Sequence, residues 1–360
     1  MAIKHVALTA VALAAAGAAN AQSSVTLYGI VDAFVQYADG ADSETRIQSG
    51  GLNGSRLGVR GSEDLGGGLR AIFTLESGVN LDDGTVGQGG VFWGRQAFVG
   101  LASNYGTLTL GRQYASVYTL TSDFSEYANG PYGASTAVIG GFGGYEPVRG
   151  ASAAAGSSTG LGGPARVNNS IKYETPSLSG FKAGALLGLA ENGASTSDNR
   201  TFDIYARYTA GPLDVMISYV DDKRDDPSAP ATLLEAQTLS LAGAYSFGDF
   251  RVLGGYLKTE IDSAPDADGD GYWIGGDYRI GAHLIRAQFL ANNPDVEEAD
   301  TQAYSVGYQY DFSKRTAFYS ALTFFKNEDR ARWHGGIPTG LATSTDSDIT
   351  EFVVGVRHAF

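Results

Sequence analysis

"SRLGVRGSEDLGGGLRAIFTLESG", residues 55–78, decides the fold. Leu57 and Val59 alternate with Arg56, Gly58 and Arg60. After a glycine-rich turn, Leu69, Ala71, Phe73 and Leu75 alternate with Arg70, Ile72, Thr74 and Glu76. A period of two on both arms describes a β-hairpin with one apolar face and one face of arginine, carboxylate and glycine. In a soluble sandwich the apolar face would be core and the polar face surface. The fold therefore turns on which solvent lies against each side.

Composition narrows that choice. The 360 residues include 50 glycines, 20 tyrosines and 17 phenylalanines but two methionines and no cysteine, as suits a β-rich chain with many turns. Without thiols there is no thiolate chemistry, and the four histidines, His5, His283, His334 and His358, lack ligand spacing, so no cofactor is expected. A net charge of −14 argues against nucleic acid as a partner, since binding phosphate requires a basic face. Residues 1–21 read as a cleaved signal peptide: Lys4 is the basic n-region, Val6 to Ala19 the apolar run, and Ala19-Asn20-Ala21 the cleavage site. That run is shorter than the ~20 residues of a spanning helix, and no later segment reaches that length. The mature chain, 22–360, is exported, and it crosses a membrane only if it does so with strands.

Short turns and long polar loops alternate along that chain. Turns recur at Glu63 to Gly68, Ser103 to Gly106, Pro176 to Gly180, Ala210 to Pro212, Ser246 to Asp249, Ile280 to Ala282 and Asp311 to Lys314. Between them lie loops such as "DDKRDDPSAPAT", "DSAPDADGDG" and "ANNPDVEEAD". About sixteen strands can be traced, each near the ~9–11 residues of a tilted membrane strand. Tyr304, Val306, Tyr308, Tyr310 and Phe312 alternate with Ala303, Ser305, Gly307, Gln309 and Asp311. Aromatic at its ends and aliphatic in the middle, one face suits lipid, and the other suits water. Arg315 to Lys326 and Phe250 to Lys258 have no well-separated faces. The expected fold is all-β, an antiparallel transmembrane barrel, closed because hydrocarbon cannot satisfy an open strand edge.

The sequence resembles the general porins of the Gram-negative outer membrane, especially the beta-proteobacterial type. The resemblance is carried by "SSVTLYGIVDAF", the opening hairpin, "RQAFVGLASNYGTLTLGRQY", "NNSIKYETPSLSGF" and the terminal "VGVRHAF", in that order. It implies a homotrimer of sixteen-stranded barrels, each with a water-filled pore narrowed by its third external loop. By length alone the interruption from Tyr114 to Ala165 is a candidate functional loop. The resemblance implies that 114–165 folds inward, with Asp123 and Glu126 facing basic wall residues Arg56, Arg95 and Arg166. Strand parity independently puts Arg166 on one face with Asn168, Ser170 and Lys172, opposite Val167, Asn169, Ile171 and Tyr173. Arg60, Arg70, Arg112 and Lys172 are secondary pore-lining candidates. The function implied is passive diffusion of ions and small hydrophilic solutes, in contact with outer-membrane lipid and lipopolysaccharide; the balance of Arg56, Arg95 and Arg166 against Asp123 and Glu126 adds the expectation of a weak to moderate anion preference.

Two further signals carry other readings. Asp266, Asp268, Asp270 and Gly271 spell the start of a calcium loop, but Tyr272 onward reads as a strand and no flanking helices follow, so a solvated acidic loop is expected there. Phe360 shares a face with Phe352, Val354 and Val356; the resemblance adds a signal to the barrel-assembly machinery. Histidines and carboxylates suggest no catalytic triad, so no enzyme is expected. The alternatives are an outer-membrane barrel enzyme, or an adhesin or receptor acting through external loops.

Overall fold

The computed structural model describes residues 23–40, 42–127, 164–190, 200–226, 229–262, 268–295, 297–328 and 348–360. The signal segment 1–21, the loop residues 128–163 and Asp266 lie outside them.

β1 runs over Ser24–Asp39. β2 is one strand track in two pieces, Ser43–Ser49 and Arg56–Gly66, both antiparallel to β1. Then come β3 (Leu69–Gly78), β4 (Gln96–Ser103), β5 (Gly106–Tyr114), a short helix α1 (Ser116–Asp123), β6 (Arg166–Glu174), β7 (Phe181–Gly188) and β8 (Arg200–Ala210). β9 (Leu213–Asp226), β10 (Ala229–Phe247), β11 (Phe250–Ile261) and β12 (Gly269–Ile280) follow. β13 (His283–Pro294), β14 (Thr301–Asp311), β15 (Thr316–Asn327) and β16 (Ile349–Ala359) complete the chain. The seventeen segments of the sheet thus make sixteen antiparallel strands. β16 returns to β1, with Ala359 opposite Ile30 and Thr350 opposite Asp39, so the sheet closes into a barrel.

The two faces of that wall are inverted relative to a soluble protein. Leu27, Val99, Leu241, Ile274 and Val306 are 56–62 % exposed, whereas Asp32, Gln36, Glu76, Asp203 and Ser218 are at most 3 % exposed. Outside β11 and β15, the aliphatic side of a strand points out and its more polar side in, as a lipid solvent demands. Inside, hydroxyls pair across strands: Thr238 with Thr259 at 3.0 Å and Ser305 with Thr323 at 2.9 Å. Aromatic rings gather toward the short-turn end, where Phe181 meets Tyr208 at 4.3 Å and Phe250 stacks on Tyr278 at 4.0 Å between ring centroids. Such girdles sit at the membrane–water boundary.

Three local departures from the sequence pattern have physical causes. Val91 to Gly94 closes a turn, with Gly94 N donating to Val91 O at 3.0 Å, so β4 begins only at Gln96. The register of β5 on β6 shifts between Gly111 and Gln113, and Asn169 takes a positive φ of 45°. This bulge breaks the parity expected for β6: Val167 is buried along with Ser170. Lastly, the β11 and β15 segments lack separated faces because both faces are apolar. Leu253, Leu257, Trp273, Leu290, Tyr319 and Phe325 are buried in one cluster with Leu120, Phe124 and Tyr127 of the segment that follows β5.

Candidate pore constriction

Residues 115–127 leave the end of β5 and bond to the buried face of distant strands. The Ala115 side chain supplies no cap for α1; the first turn is held instead by Asp203 of β8. Ser116 N donates to Asp203 Oδ2 at 2.7 Å and its hydroxyl donates to Oδ1. A carboxylate at a helix N-terminus satisfies free N–H groups and matches the helix dipole. Beyond α1 the contacts pass to the same face of β11, β12 and β13. Trp273 Nε1 donates to Phe124 O, and Arg251 Nη2 donates to Asp123 O at 3.0 Å. Gln288 Oε1 accepts from Ser125 Oγ at 3.0 Å and from Glu126 N at 2.7 Å, and Arg286 donates to Glu126 O.

Two groups of arginines flank this segment. The first centres on Glu76 of β3. Its Oε1 accepts from Arg95 Nε at 2.9 Å and Tyr114 OH at 2.9 Å and lies 3.8 Å from Arg56 Nη1, while Oε2 accepts from Tyr28 OH at 2.9 Å. Tyr114 and Tyr118 stack at 4.8 Å, and the Arg166 guanidinium carbon sits 5.1 Å from one ring centroid and 5.2 Å from the other. Tyrosine faces hold a guanidinium without neutralising it. Arg56, Arg95 and Arg166 thus meet in one cluster whose bonded carboxylate is Glu76, three cations against one anion among the described residues.

The second group was not singled out by sequence. Arg207 binds Asp214 through Nε and Nη2, at 2.8 and 2.5 Å, and reaches Asp123 Oδ2 at 2.7 Å. Arg251 and Arg286 hold the backbone of Asp123 and Glu126. The acidic residues therefore have partners other than those expected: Asp123 pairs with Arg207, and Glu126 lies by Arg286 and Asp277, not by Arg56, Arg95 or Arg166. Glu126 belongs to the loop, outside the membrane strands. Burial, and next the adjacent Asp277 carboxylate, push its carboxyl from 4.5 up to about 7, against the opposing pull of Arg286 and Arg251. Alternation in β8 and β13 does place Arg207 and Arg286 on the polar face, but no local pattern distinguishes them from other inward residues.

The secondary candidates separate. Lys172 is inward, 3.6 Å from Glu174 and 5.9 Å from the Tyr205 ring centroid. Arg60 lies over the Tyr28 ring at 5.1 Å, and both it and Arg70 are solvent-exposed near the glycine turn. Arg112 pairs opposite Ala97 on the face of Leu108 and Leu110, which points outward; its Nε donates to Gly94 O at 2.7 Å. The chain has no cysteine, and among the described residues no three histidine or carboxylate side chains gather as metal ligands. Asp268 Oδ1 instead accepts from Ile261 N, and Asp270 sits within β12, so Tyr272 onward is strand. Phe360 closes the barrel seam: Gly29 N donates to Phe360 O and Phe360 N to Gly29 O, each at 3.1 Å.

Comparison with known proteins gives this wall its relatives. The sequence profile described as Gram-negative porin matches residues 7–330. The chain is 32% identical to outer membrane porin protein 32 of Delftia acidovorans, over 97% of each chain. It is also 32% identical, over 96% of each chain, to an outer membrane porin protein of Bordetella pertussis. Among solved structures, an anion-selective porin from Comamonas acidovorans superposes with a TM-score of 0.77 at 29% identity, covering 94% of this chain and 100% of that one.

Proposed function

The chain belongs to the Gram-negative porin family, and on that premise we propose how its barrel works as a general diffusion channel of the outer membrane. Solutes and ions pass down their own gradients through a water-filled lumen. The third external loop folds inward and narrows it, and Arg56, Arg95 and Arg166 line one side of the narrow section with Asp123 and Glu126 on the loop. The observation that carries this reading is the cluster around Glu76, where, among the described residues, three guanidinium groups meet one bonded carboxylate. An excess of fixed positive charge favours anions, and the similar structure from Comamonas acidovorans is described as anion-selective. One unit charge ~4 Å from an ion is worth about 1 kcal/mol in water, and more beside low-dielectric protein. A weak to moderate anion preference follows. The working unit is a homotrimer, exported by a leader cleaved after Ala21 and assembled through a C-terminal strand ending in Phe360.

Purified protein in planar bilayers tests this reading. Stable stepwise conductance in multiples of three is expected, with reversal potentials across a salt gradient that favour anions at low salt. Arg56→Ala, Arg95→Ala and Arg166→Ala should each lower the anion preference. Cation preference in the parent, unchanged by all three substitutions, would assign selectivity to the external acidic loops instead.

A further inference from the structure

β2 is broken where it passes Asp32. Ser49 pairs with Ala33 and Arg56 pairs with Ile30, so two residues of β1, Val31 and Asp32, face six residues, 50–55. The surplus makes a bulge that the Asp32 residue binds at nearly every available atom. Asp32 O accepts from Gly50 N at 2.7 Å and from Ser55 Oγ at 3.0 Å, and Asp32 N donates to Ser55 Oγ at 3.0 Å. The carboxylate accepts from Gly51 N at 3.2 Å, Leu52 N at 2.9 Å, Asn53 N at 2.9 Å and, across the seam from β15, Tyr319 OH at 2.6 Å. Asp32 is fully buried, so its charge is spent on these donors and is not presented to passing ions.

The bulge is shaped to be held there. Gly50 has φ of +90°, which favours glycine. A Cβ on Gly51 would lie 2.0 Å from the Tyr319 hydroxyl, so the backbone is pressed against that side chain. The far end of the bulge then meets the arginines: Arg56 Nε donates to Gly54 O at 2.9 Å, and a Cβ on Gly54 would stand 3.1 Å from Arg95 Nη1. A continuous path of bonds runs from Asp32, through residues 51–55, to the guanidinium of Arg56.

We infer that Asp32, with Tyr319, is a positioning residue for channel selectivity: it fixes the 50–55 bulge, and the bulge fixes where Arg56 holds its charge. This rests on the reading that Arg56 sets ion preference. An asparagine at position 32 keeps the volume, but its NH2 faces backbone N–H groups that need an acceptor. The bulge loses its anchor and Arg56 loses its fixed carbonyl partner.

The test is a double-mutant cycle in folded trimers, read as the anion-to-cation permeability ratio from reversal potentials at low salt. Arg56→Ala, Asp32→Asn, the double variant and Tyr319→Phe are compared with the parent. Arg56→Ala is expected to lower the ratio by up to about twenty-five-fold, since one charge near ~4 Å in water favours an anion about fivefold and disfavours a cation about fivefold. Asp32→Asn is expected to lower it in the same direction, Tyr319→Phe by less, and Asp32→Asn to add nothing once Arg56 is gone. If Arg56→Ala lowers the ratio while neither Asp32→Asn nor Tyr319→Phe moves it, the positioning role is overturned and the arginine reading stands. Equal shifts from Asp32→Asn with and without Arg56 overturn it as well. If Arg56→Ala itself leaves the ratio unchanged, the selectivity reading beneath it has failed. Should Asp32→Asn not assemble, Tyr319→Phe, which removes one donor from the carboxylate, decides the question alone.

Discussion

Glu126 makes the loop attachment sensitive to pH, with a sign that is fixed by its surroundings. Its ordinary value is 4.5, and burial beside Asp277 raises it to about 7 where the segment lies against the wall. If the segment swings away, Glu126 meets water and returns toward 4.5. Between these values the attached form holds a proton that the detached form has lost. Attachment is therefore strongest below about pH 4.5, weakens as pH rises, and levels off above about pH 7. At about 1.4 kcal/mol per pH unit the full loss is roughly 3 kcal/mol, a change of a few hundredfold in the ratio of attached to detached forms. The bonds from Gln288 and Arg286 to the Glu126 backbone are what that free energy acts against. Single-channel recording at constant salt from about pH 4.5 to about pH 8 should reveal excursions between conductance levels whose frequency rises through this window and then stays level. Glu126→Gln, neutral throughout and able to donate to Asp277, should keep the quiet low-pH behaviour at every pH. A parent channel equally quiet at both ends of the range would refute the reasoning, as would a Glu126→Gln channel with the parent's pH dependence.

Two other perturbations address the loop and the seam. Shortening "DFSEYANGPYG", residues 123–133, removes Asp123, Phe124, Glu126 and Tyr127 from the wall; single-channel conductance and the size limit for sugars should rise, measured by bilayer recording and liposome swelling. Deleting Phe360 removes its paired backbone bonds to Gly29 along with the terminal aromatic. Outer-membrane yield, measured by immunoblot of fractionated membranes, should fall severalfold, while the conductance of trimers that do assemble stays near the parent value.

What the sequence made legible follows the range of the interactions involved. The hairpin 55–78, the inward arginine Arg56 with Lys172, and the outward Leu57, Leu69 and Phe73 follow from period-two alternation, which needs only neighbours along one strand. The closure of β16 on β1 follows from the solvent, since no edge is tolerated in lipid. Alternation failed where the chain leaves a regular strand, at Asn169, whose positive φ upsets the parity of β6; Arg112 is the reverse case, since it keeps the outward parity of Leu108 and Leu110 and alternation alone sets it away from the lumen. The partners of Asp123 and Glu126 were not legible at all. Arg207 and Arg286 lie 84 and 160 residues away, and their meeting depends on the path of one loop across the sheet. The break in β2 is a similar case. "GLNGS" reads as an ordinary polar loop, and only the register of both halves on β1 reveals a single strand carrying a bulge.

The same distinction decides how the chain's charge should be read. A net charge of −14 belongs to the whole sequence, but an ion in the lumen responds to charges within about a Debye length, ~8 Å at physiological salt. Several rim carboxylates already have cationic partners: Asp221 lies 3.7 Å from Arg200, and Glu260 lies 2.7 Å from Lys258. Exposed pairs of this kind are worth little in stability, yet each neutralises the far field of its acid. In the cluster at Glu76 the arrangement is the opposite. Arg166 rests on Tyr114 and Tyr118, whose rings attract the guanidinium while leaving its charge without an acidic partner among the described residues, and Arg56 and Arg95 share one carboxylate. Across the segment, Arg207 is matched by Asp123 and Asp214, and Glu126 is protonated below about pH 7. On the function proposed above, the narrow section carries a local positive excess among the described residues, inside a negatively charged protein. Its preference for anions should fade in molar salt, where the Debye length shrinks to about 3 Å and the fixed guanidinium charges act only on ions in contact with them.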